Sequence, residues 1–122
     1  MVTGIGVEPA TAALRTAGLR LEDGVVVNEY LEARPPGVYA AGDVARYRDL
    51  LFDTYRRLEH WDNAVEQGRH AARRFLGERE PFVHVPYFFS DVFDLSYEFW
   101  GDGAGADRVV YRGEVSSGSF SA

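Results

Sequence analysis

The sequence predicts an α+β chain, and three stretches carry that expectation. A short apolar run, Val38 to Ala41, enters a Gly42-Asp43 turn; a long amphipathic pattern runs from about Glu59 to Leu76; and an aromatic-rich tail of strand-like runs follows Pro81. The run Gly37-Val38-Tyr39-Ala40-Ala41-Gly42 reads as a strand covered on both faces, as in a parallel sheet. Gly42 allows a sharp turn or a close approach to a ligand, and Asp43 places an acceptor at the carboxyl end of the strand, where open α/β sheets bind ligands. Gly and Asp also dominate ordinary turns, and on spacing alone a surface turn is the better reading.

From the N-terminus, Gly4-Ile5-Gly6-Val7-Glu8-Pro9 invites a dinucleotide reading that fails. Pro9 stands where a third glycine is needed, and no full strand precedes the run. Ala10 to Ala17, apolar at Ala10, Ala13, Leu14 and Ala17 and stopped by Gly18, predicts a short helix. Asp23-Gly24 is a turn signal before a Val25-Val26-Val27 strand, and Arg34-Pro35-Pro36-Gly37 is a stiff turn into Val38. Val44 to Arg57 has no clean period and predicts a packed loop, its Arg46, Arg48, Arg56 and Arg57 solvated.

In the helix, Trp61, Ala64, Val65, Gly68, Ala71, Ala72, Phe75 and Leu76 form one apolar stripe, expected to be buried. Gly68 costs about 1 kcal/mol against Ala in a helix interior, so its place on that stripe predicts a backbone passing close by. Arg73 and Arg74 suit the negative end of the helix, and Gly77 its C-cap. A domain boundary is expected near Gly77 to Pro81. Beyond it, Phe93 to Trp100, Val109 to Tyr111 and Ser119-Phe120 predict strands of an antiparallel meander. Gly101, Gly103 and Ala106 imitate a dinucleotide motif, but the Arg108-Val109-Val110-Tyr111 that follows reads as strand, so the stretch is a loop without a helix N-terminus.

Composition narrows the function classes. The 122 residues are 46% hydrophobic and 14% aromatic, in the globular range. A net charge of −6 disfavours general binding to nucleic acid or an anionic membrane. All 13 basic residues are Arg. Without Cys, the chain itself supplies no disulfide, Cys-ligated zinc, iron–sulfur centre or redox-active Cys pair. Three scattered histidines make no metal site, and His70 and His84 read as surface residues. No run has membrane-spanning length and no signal-peptide pattern opens the chain, so a cytoplasmic location is expected.

The run Val38-Tyr39-Ala40-Ala41-Gly42-Asp43 resembles the second flavin-binding motif of the FAD-dependent pyridine nucleotide oxidoreductases. Gly4 to Pro9, Glu59-His60-Trp61-Asp62-Asn63-Ala64, Gln67-Gly68 and Pro86-Tyr87-Phe88-Phe89-Ser90-Asp91 recur in the same order as in the ferredoxin and rubredoxin reductases, with apoptosis-inducing factor as a relative. The likeness runs from Gly4 to about Arg112. It implies an α+β fragment: the end of a Rossmann-like α/β FAD domain, followed by part of an antiparallel-sheet C-terminal domain. Residues 1–36 would be the end of the NAD domain and a return segment, 37–79 the last strand and helix of the FAD-binding domain, and 80–122 a truncated C-terminal interface domain.

The same resemblance implies FAD and NAD(P)H as cofactors, both needing further N-terminal sequence, and a ferredoxin-like or rubredoxin-like electron acceptor. It sets aside the glutathione-reductase and thioredoxin-reductase branches. Asp43, after Gly42, would accept a hydrogen bond from a ribityl hydroxyl. His60 and Trp61 would sit against the flavin at the helix N-terminus, although from the residues alone Trp61 reads better as core and His60 as surface. Phe89 stands where the family commonly has Trp, keeping a flat apolar face but losing the indole N–H. Glu98 matches a nicotinamide-side carboxylate. No side chain is expected to act as acid or base, since hydride transfer belongs to the cofactors. The alternatives are a free-standing, non-enzymatic interaction or oligomerisation module derived from such a reductase, and a redox or death-signalling relative. An apolar strand and stripe needing cover, with an open strand edge, predict a homo-oligomer.

Overall fold

A computed structural model describes residues 1–122. The fold is organised by the turn at Asp23 and Gly24, both in the left-handed region (φ 46° and 115°). A Cβ on Gly24 would lie 2.5 Å from the Val44 carbonyl oxygen, so only glycine lets these two segments meet. The turn delivers β1 (Val25–Val26), which pairs in parallel with β2 (Ala45–Asp49). Val27 continues the ladder through its amide to Arg46 O (2.9 Å). β2 then pairs antiparallel with β3 (Thr54–Arg56) to complete a three-stranded sheet in the order β1-β2-β3.

This hairpin replaces the loop expected over Val44 to Arg57. Ala45, Tyr47 and Asp49 point inward and Arg46 and Arg48 outward, a true period of two. The inward carboxylate breaks the hydrophobic signal of that alternation. Asp49 Oδ1 accepts from the amides of Leu51 (2.9 Å) and Phe52 (3.2 Å) and so shapes the turn between the strands. The arginines are not all solvated either. The side chains of Arg56 and Arg57 are only 13% and 11% exposed, held in ion pairs.

Val38 to Ala41 is not a buried strand. It is extended and makes a single antiparallel bridge, Tyr39 to Glu32, with Ala33 donating to Val38 O and Ala40 to Leu31 O. Only one edge is paired, and Val38 is exposed. Ala10 to Ala17 reduces to a 3₁₀ turn at Ala12–Leu14 with no side-chain cap, since so short a stretch, packed on the core only through Leu14, does not sustain an α-helix.

The long helix, α1 (Trp61–Phe75), lies within its expected limits, with His60 at the N-cap and a left-handed Gly77 beyond its end. Its burial is largely reversed, with only Ala71 of the expected stripe buried. Asn63, Gln67, His70 and Ala71 face inward, while Trp61 (76%), Phe75 (70%) and Leu76 (87%) are exposed. Nothing lies within 4 Å of a Cβ placed on Gly68, so no backbone passes there. The inner face meets polar and aromatic groups of the chain itself: Gly42, Tyr47 and Phe82. His70, expected at the surface, is therefore buried against Phe82, and His84 is half-buried with its Nε2 2.5 Å from Asp62.

Phe82 returns the chain to the core, its amide donating to Glu29 O at 2.7 Å. The core comprises Val25, Val27, Leu31, Ala33, Ala45, Tyr47 and Phe82. Beyond it, β4 (Tyr87–Val92) and β5 (Leu95–Trp100) form one antiparallel hairpin, and β6 (Arg112–Glu114) and β7 (Ser119–Ser121) another. The expected single meander is thus two separate two-stranded sheets. Phe93 lies in the turn (φ 57°), and Val109 to Tyr111 is not a strand but leads into β6. The Gly101 to Ala106 stretch is a loop, as the sequence predicts.

Burial, followed by the charges of Arg73 and Arg74, holds the His70 imidazole below its ordinary pKa. The unfolded chain then binds a proton that the folded chain resists. The stabilisation is present above the ordinary histidine pKa and is lost as pH falls through it. The urea midpoint is expected to drop between about pH 7.5 and about pH 5.5, with a shallower drop in His70→Leu. Equilibrium denaturation at the two pH values checks this; equal drops in both proteins would contradict it.

Candidate functional site

The site begins where the extended Ala41 (φ −141°, ψ 152°) passes into Gly42 at φ +77°, a left-handed conformation that favours glycine. The buried Gly42 amide donates to Gln67 Oε1 at 2.8 Å. Gln67 is fully buried, and Ala64, one turn earlier on α1, stands 3.4 Å from where a Gly42 Cβ would be. The helix therefore grips the glycine turn at two points. Asp43 follows with an exposed side chain.

Arg57 fixes the surrounding backbone. Its Nη1 donates to the Asp43 carbonyl (3.1 Å) and to Glu59 Oε1 (2.6 Å), and its Nε donates to Asp23 Oδ1 (3.1 Å). The turn before β1, the turn before β2 and the approach to α1 thus share one guanidinium. Its fork geometry makes such sharing possible.

At the N-terminus of α1, the extended His60 makes no side-chain cap bond, which leaves first-turn N–H groups free. The His60 ring lies 4.9 Å from the Phe88 ring, and its Nδ1 is buried without a hydrogen-bond partner. Burial first, then the Arg56 charge, push His60 below its ordinary pKa, against the opposing pull of Asp43 and Asp62. Trp61 opens the helix with its indole in solvent.

Phe89 and Glu98 are cross-strand partners in the β4–β5 hairpin and share a face with Tyr87 and Trp100. The Tyr87 and Trp100 rings are 4.4 Å apart. Partial burial, then the Glu98 carboxylate, raise the Tyr87 pKa. Phe88 points to the opposite face, toward His60 and Phe99. The structure therefore gathers Gly42, Asp43, His60 and Trp61 at one end of α1, and pairs Phe89 with Glu98 on the hairpin face turned away from His60. Gln67, Arg57 and Phe88 hold the arrangement and were not singled out for it by the sequence. For Gln67 a signal existed, since Asn63, Gln67 and His70 share one helix face at i, i+4, i+7.

An exposed carboxylate near a helix N-terminus can accept hydrogen bonds from a ligand's hydroxyl groups, and the free first-turn N–H groups favour negative charge. Residues 1–68 match the model of the pyridine nucleotide-disulphide oxidoreductase family. The chain belongs to this family. It is 33% identical to putidaredoxin reductase CamA of Pseudomonas putida over 121 residues, covering 99% of this chain and 29% of that protein. It is 38% identical to rhodocoxin reductase of Rhodococcus erythropolis, covering 99% and 28%. The crystal structure of the ferredoxin reductase for the CYP199A2 system of Rhodopseudomonas palustris superimposes with a TM-score of 0.92 at 36% identity, over 96% of this chain and 29% of that one. The chain thus spans less than a third of the length of these relatives.

Removing the acceptor in Gln67→Leu leaves the buried Gly42 donor unpaired, at an expected cost of about 1–3 kcal/mol. Gln67→Glu keeps an acceptor oxygen at that position. Amide exchange at Gly42 and urea denaturation measure the effect. A Gly42 amide as protected in Gln67→Leu as in the parent would show that the helix does not hold the turn.

Proposed function

We propose that this chain is part of a flavoprotein reductase that passes electrons from NAD(P)H through FAD to a ferredoxin-like or rubredoxin-like acceptor in the cytoplasm. The observation that carries this reading is the Gly42 amide on Gln67 Oε1, which sets the exposed Asp43 beside the free N-terminus of α1. The likeness to putidaredoxin reductase and rhodocoxin reductase supports it. Residues 1–36 are the close of an NAD-binding unit and a return segment, 37–79 the last strand and helix of an FAD-binding unit, and 80–122 part of a C-terminal interface unit.

The residues fit the cofactor in chemical kind. Asp43 accepts from a ribityl hydroxyl of FAD. The first-turn N–H groups of α1 and its partial positive charge favour the negative charge that gathers on the pyrimidine edge of the reduced ring. His60, its pKa lowered by burial and the Arg56 charge, and Trp61 would sit against that edge, and Phe89 and Glu98 would serve the nicotinamide side. Hydride acceptance from NAD(P)H and electron delivery to the acceptor are the chemistry that bound FAD supplies. The side chains orient, exclude water and set the local field; none needs to act as acid or base.

The chain alone is expected to hold FAD weakly. Within these 122 residues Gly4 to Pro9 and Gly101 to Ala106 are loops, and neither opens a helix that could receive a pyrophosphate. Titration of the purified chain, followed by flavin fluorescence or calorimetry, tests this. Sub-micromolar binding at one equivalent would overturn it. In a protein joining this sequence to a pyrophosphate-binding unit, Asp43→Ala should weaken FAD binding by about 1.5–3 kcal/mol, the value of a charge-assisted hydrogen bond. Unchanged affinity would return Asp43 to an ordinary surface turn.

Trp61, Phe75 and Leu76 are exposed on one side of α1, and the two hairpins leave strand edges unpaired. Such surface drives association between copies. A homo-oligomer is expected, and light scattering after size exclusion, across about a tenfold concentration range, measures it. A monodisperse monomer with a sharp cooperative melt would favour the alternative, an independent module derived from such a reductase.

A further inference from the structure

We propose that Arg56 is a positioning residue: it clamps the base of the β4–β5 hairpin to the central sheet, so that Phe89 and Glu98 keep one placement relative to Asp43 and His60. The functional half of this statement rests on the flavin reading above; the clamp itself does not.

Arg56 ends β3, and its guanidinium joins three segments. Its Nε donates to Asp49 Oδ2 at 2.7 Å, and its Nη2 lies against the same oxygen as an ion pair without hydrogen-bond geometry. Its Nη1 donates to Asp102 Oδ2 at 2.6 Å, a contact 46 residues along the chain. The Phe52 ring covers the plane, 4.4 Å from the guanidinium carbon. Asp49 is almost fully buried and Asp102 about a quarter exposed, so the cation is shared between an inner and an outer carboxylate. Only a planar fork reaches both while stacking on a ring; a lysine ammonium in that place keeps the charge and loses the geometry.

Asp102 is well placed to carry this restraint into the hairpin. It follows β5 by two residues, and its other oxygen accepts from the Ala104 amide at 2.7 Å, which ties the turn where Arg56 takes hold. Between them, the Gly101 amide donates to the carbonyl of the buried Pro86 at 2.8 Å, closing the hairpin at its base. Every residue of β5 is exposed, and an isolated two-stranded hairpin is marginal in water, so its placement comes from its anchors. Two of these, Phe88 on His60 and His84 on Asp62, reach α1. The Arg56–Asp102 contact reaches the sheet, and the three together fix an orientation.

Arg56 also acts on the site through its charge. The charges that bear on His60 are Arg56 from β3, which lowers its pKa, and Asp43 from the glycine turn and Asp62 from α1, which raise it, while the uncharged Phe88 ring from β4 lies 4.9 Å from the imidazole. Of these, Arg56 alone opposes the imidazolium. A purely structural arginine would leave the His60 titration where it is once the fold is intact.

The experiment uses the 122-residue chain without flavin, so its outcome is separate from that of the FAD titration. Amide exchange over β4–β5 and the His60 titration by NMR are compared in the parent, Asp102→Asn, Arg56→Lys and Arg56→Met. Exchange over β4–β5 is expected to rise roughly tenfold or more in Asp102→Asn and Arg56→Lys, while the β1–β2 amides stay protected. The His60 midpoint should stay low in Arg56→Lys and rise in Arg56→Met. Arg56→Met strands the buried Asp49 and can unfold the chain; Asp102→Asn and Arg56→Lys avoid that and decide the clamp by themselves. Unchanged hairpin exchange in both would overturn it, and a His60 midpoint lost equally in Arg56→Lys and Arg56→Met would overturn the electrostatic part.

Discussion

The hydrogen bond from the Gly42 amide to the Gln67 side chain is the constraint on which the site depends. Gly42 opens its 3₁₀ turn, where a backbone N–H has no partner within the turn, and buried it must be satisfied by something else. The partner is a side chain on α1, so the turn that presents Asp43 and the helix that begins after His60 are fixed to each other directly. Ala64 supplies the steric half of this grip. A larger residue there would separate the two parts, and a residue without an acceptor at position 67 would leave a buried donor unpaired.

The same helix face explains why the interior is so polar. Asn63, Gln67 and His70 are buried where a helix of this size ordinarily places leucines. Around them Tyr47, Asp49 and Arg56 form a second polar group. The Tyr47 hydroxyl lies 3.4 Å from Asp49 Oδ2, and its pKa is pushed up to about 12 by burial and then by that carboxylate. Buried polar groups contribute little net stability compared with apolar packing, but each accepts only a few arrangements of its neighbours. What this interior gains is orientation: Asp49 fixes both the β2–β3 turn and Arg56, and Arg56 fixes the hairpin.

These interactions also mark what the sequence made legible. The Gly42-Asp43 turn, the limits of α1 within two residues and the loop at Gly101 follow from local chemistry, and the motif-bearing positions around the site follow from resemblance. The β2–β3 hairpin was hidden because its inward positions include Asp49, whose ion pair with Arg56 is invisible until both are placed. The strand expected at Val38 rests on its apolar run alone, whereas a strand also needs partners on its edges, and here one edge is paired. Gln67, Arg57 and Arg56 work through partners 25, 34 and 46 residues away, and no periodicity reports contacts at such distances.

The reversal of α1 is the most instructive of these differences. Hydrophobic periodicity identifies a face that gains by leaving water; it does not say that the residues covering that face lie within the same chain. Here the chain's own core takes up the polar face, because that face carries the hydrogen bonds its glycine turn and tyrosine require. Of the apolar stripe, Ala64 and Ala71 are taken up by the chain's own core, while Trp61, Phe75 and Leu76 stay exposed and Gly68 is open at its centre. One helix thus does two separate jobs. Its polar side holds the glycine turn of the candidate site, and its apolar side presents Trp61, Phe75 and Leu76 to solvent. A substitution at Gln67 therefore acts on the glycine turn, and one at Phe75 on the exposed face and its contact with the Tyr39 ring, although both lie on the same fifteen-residue helix.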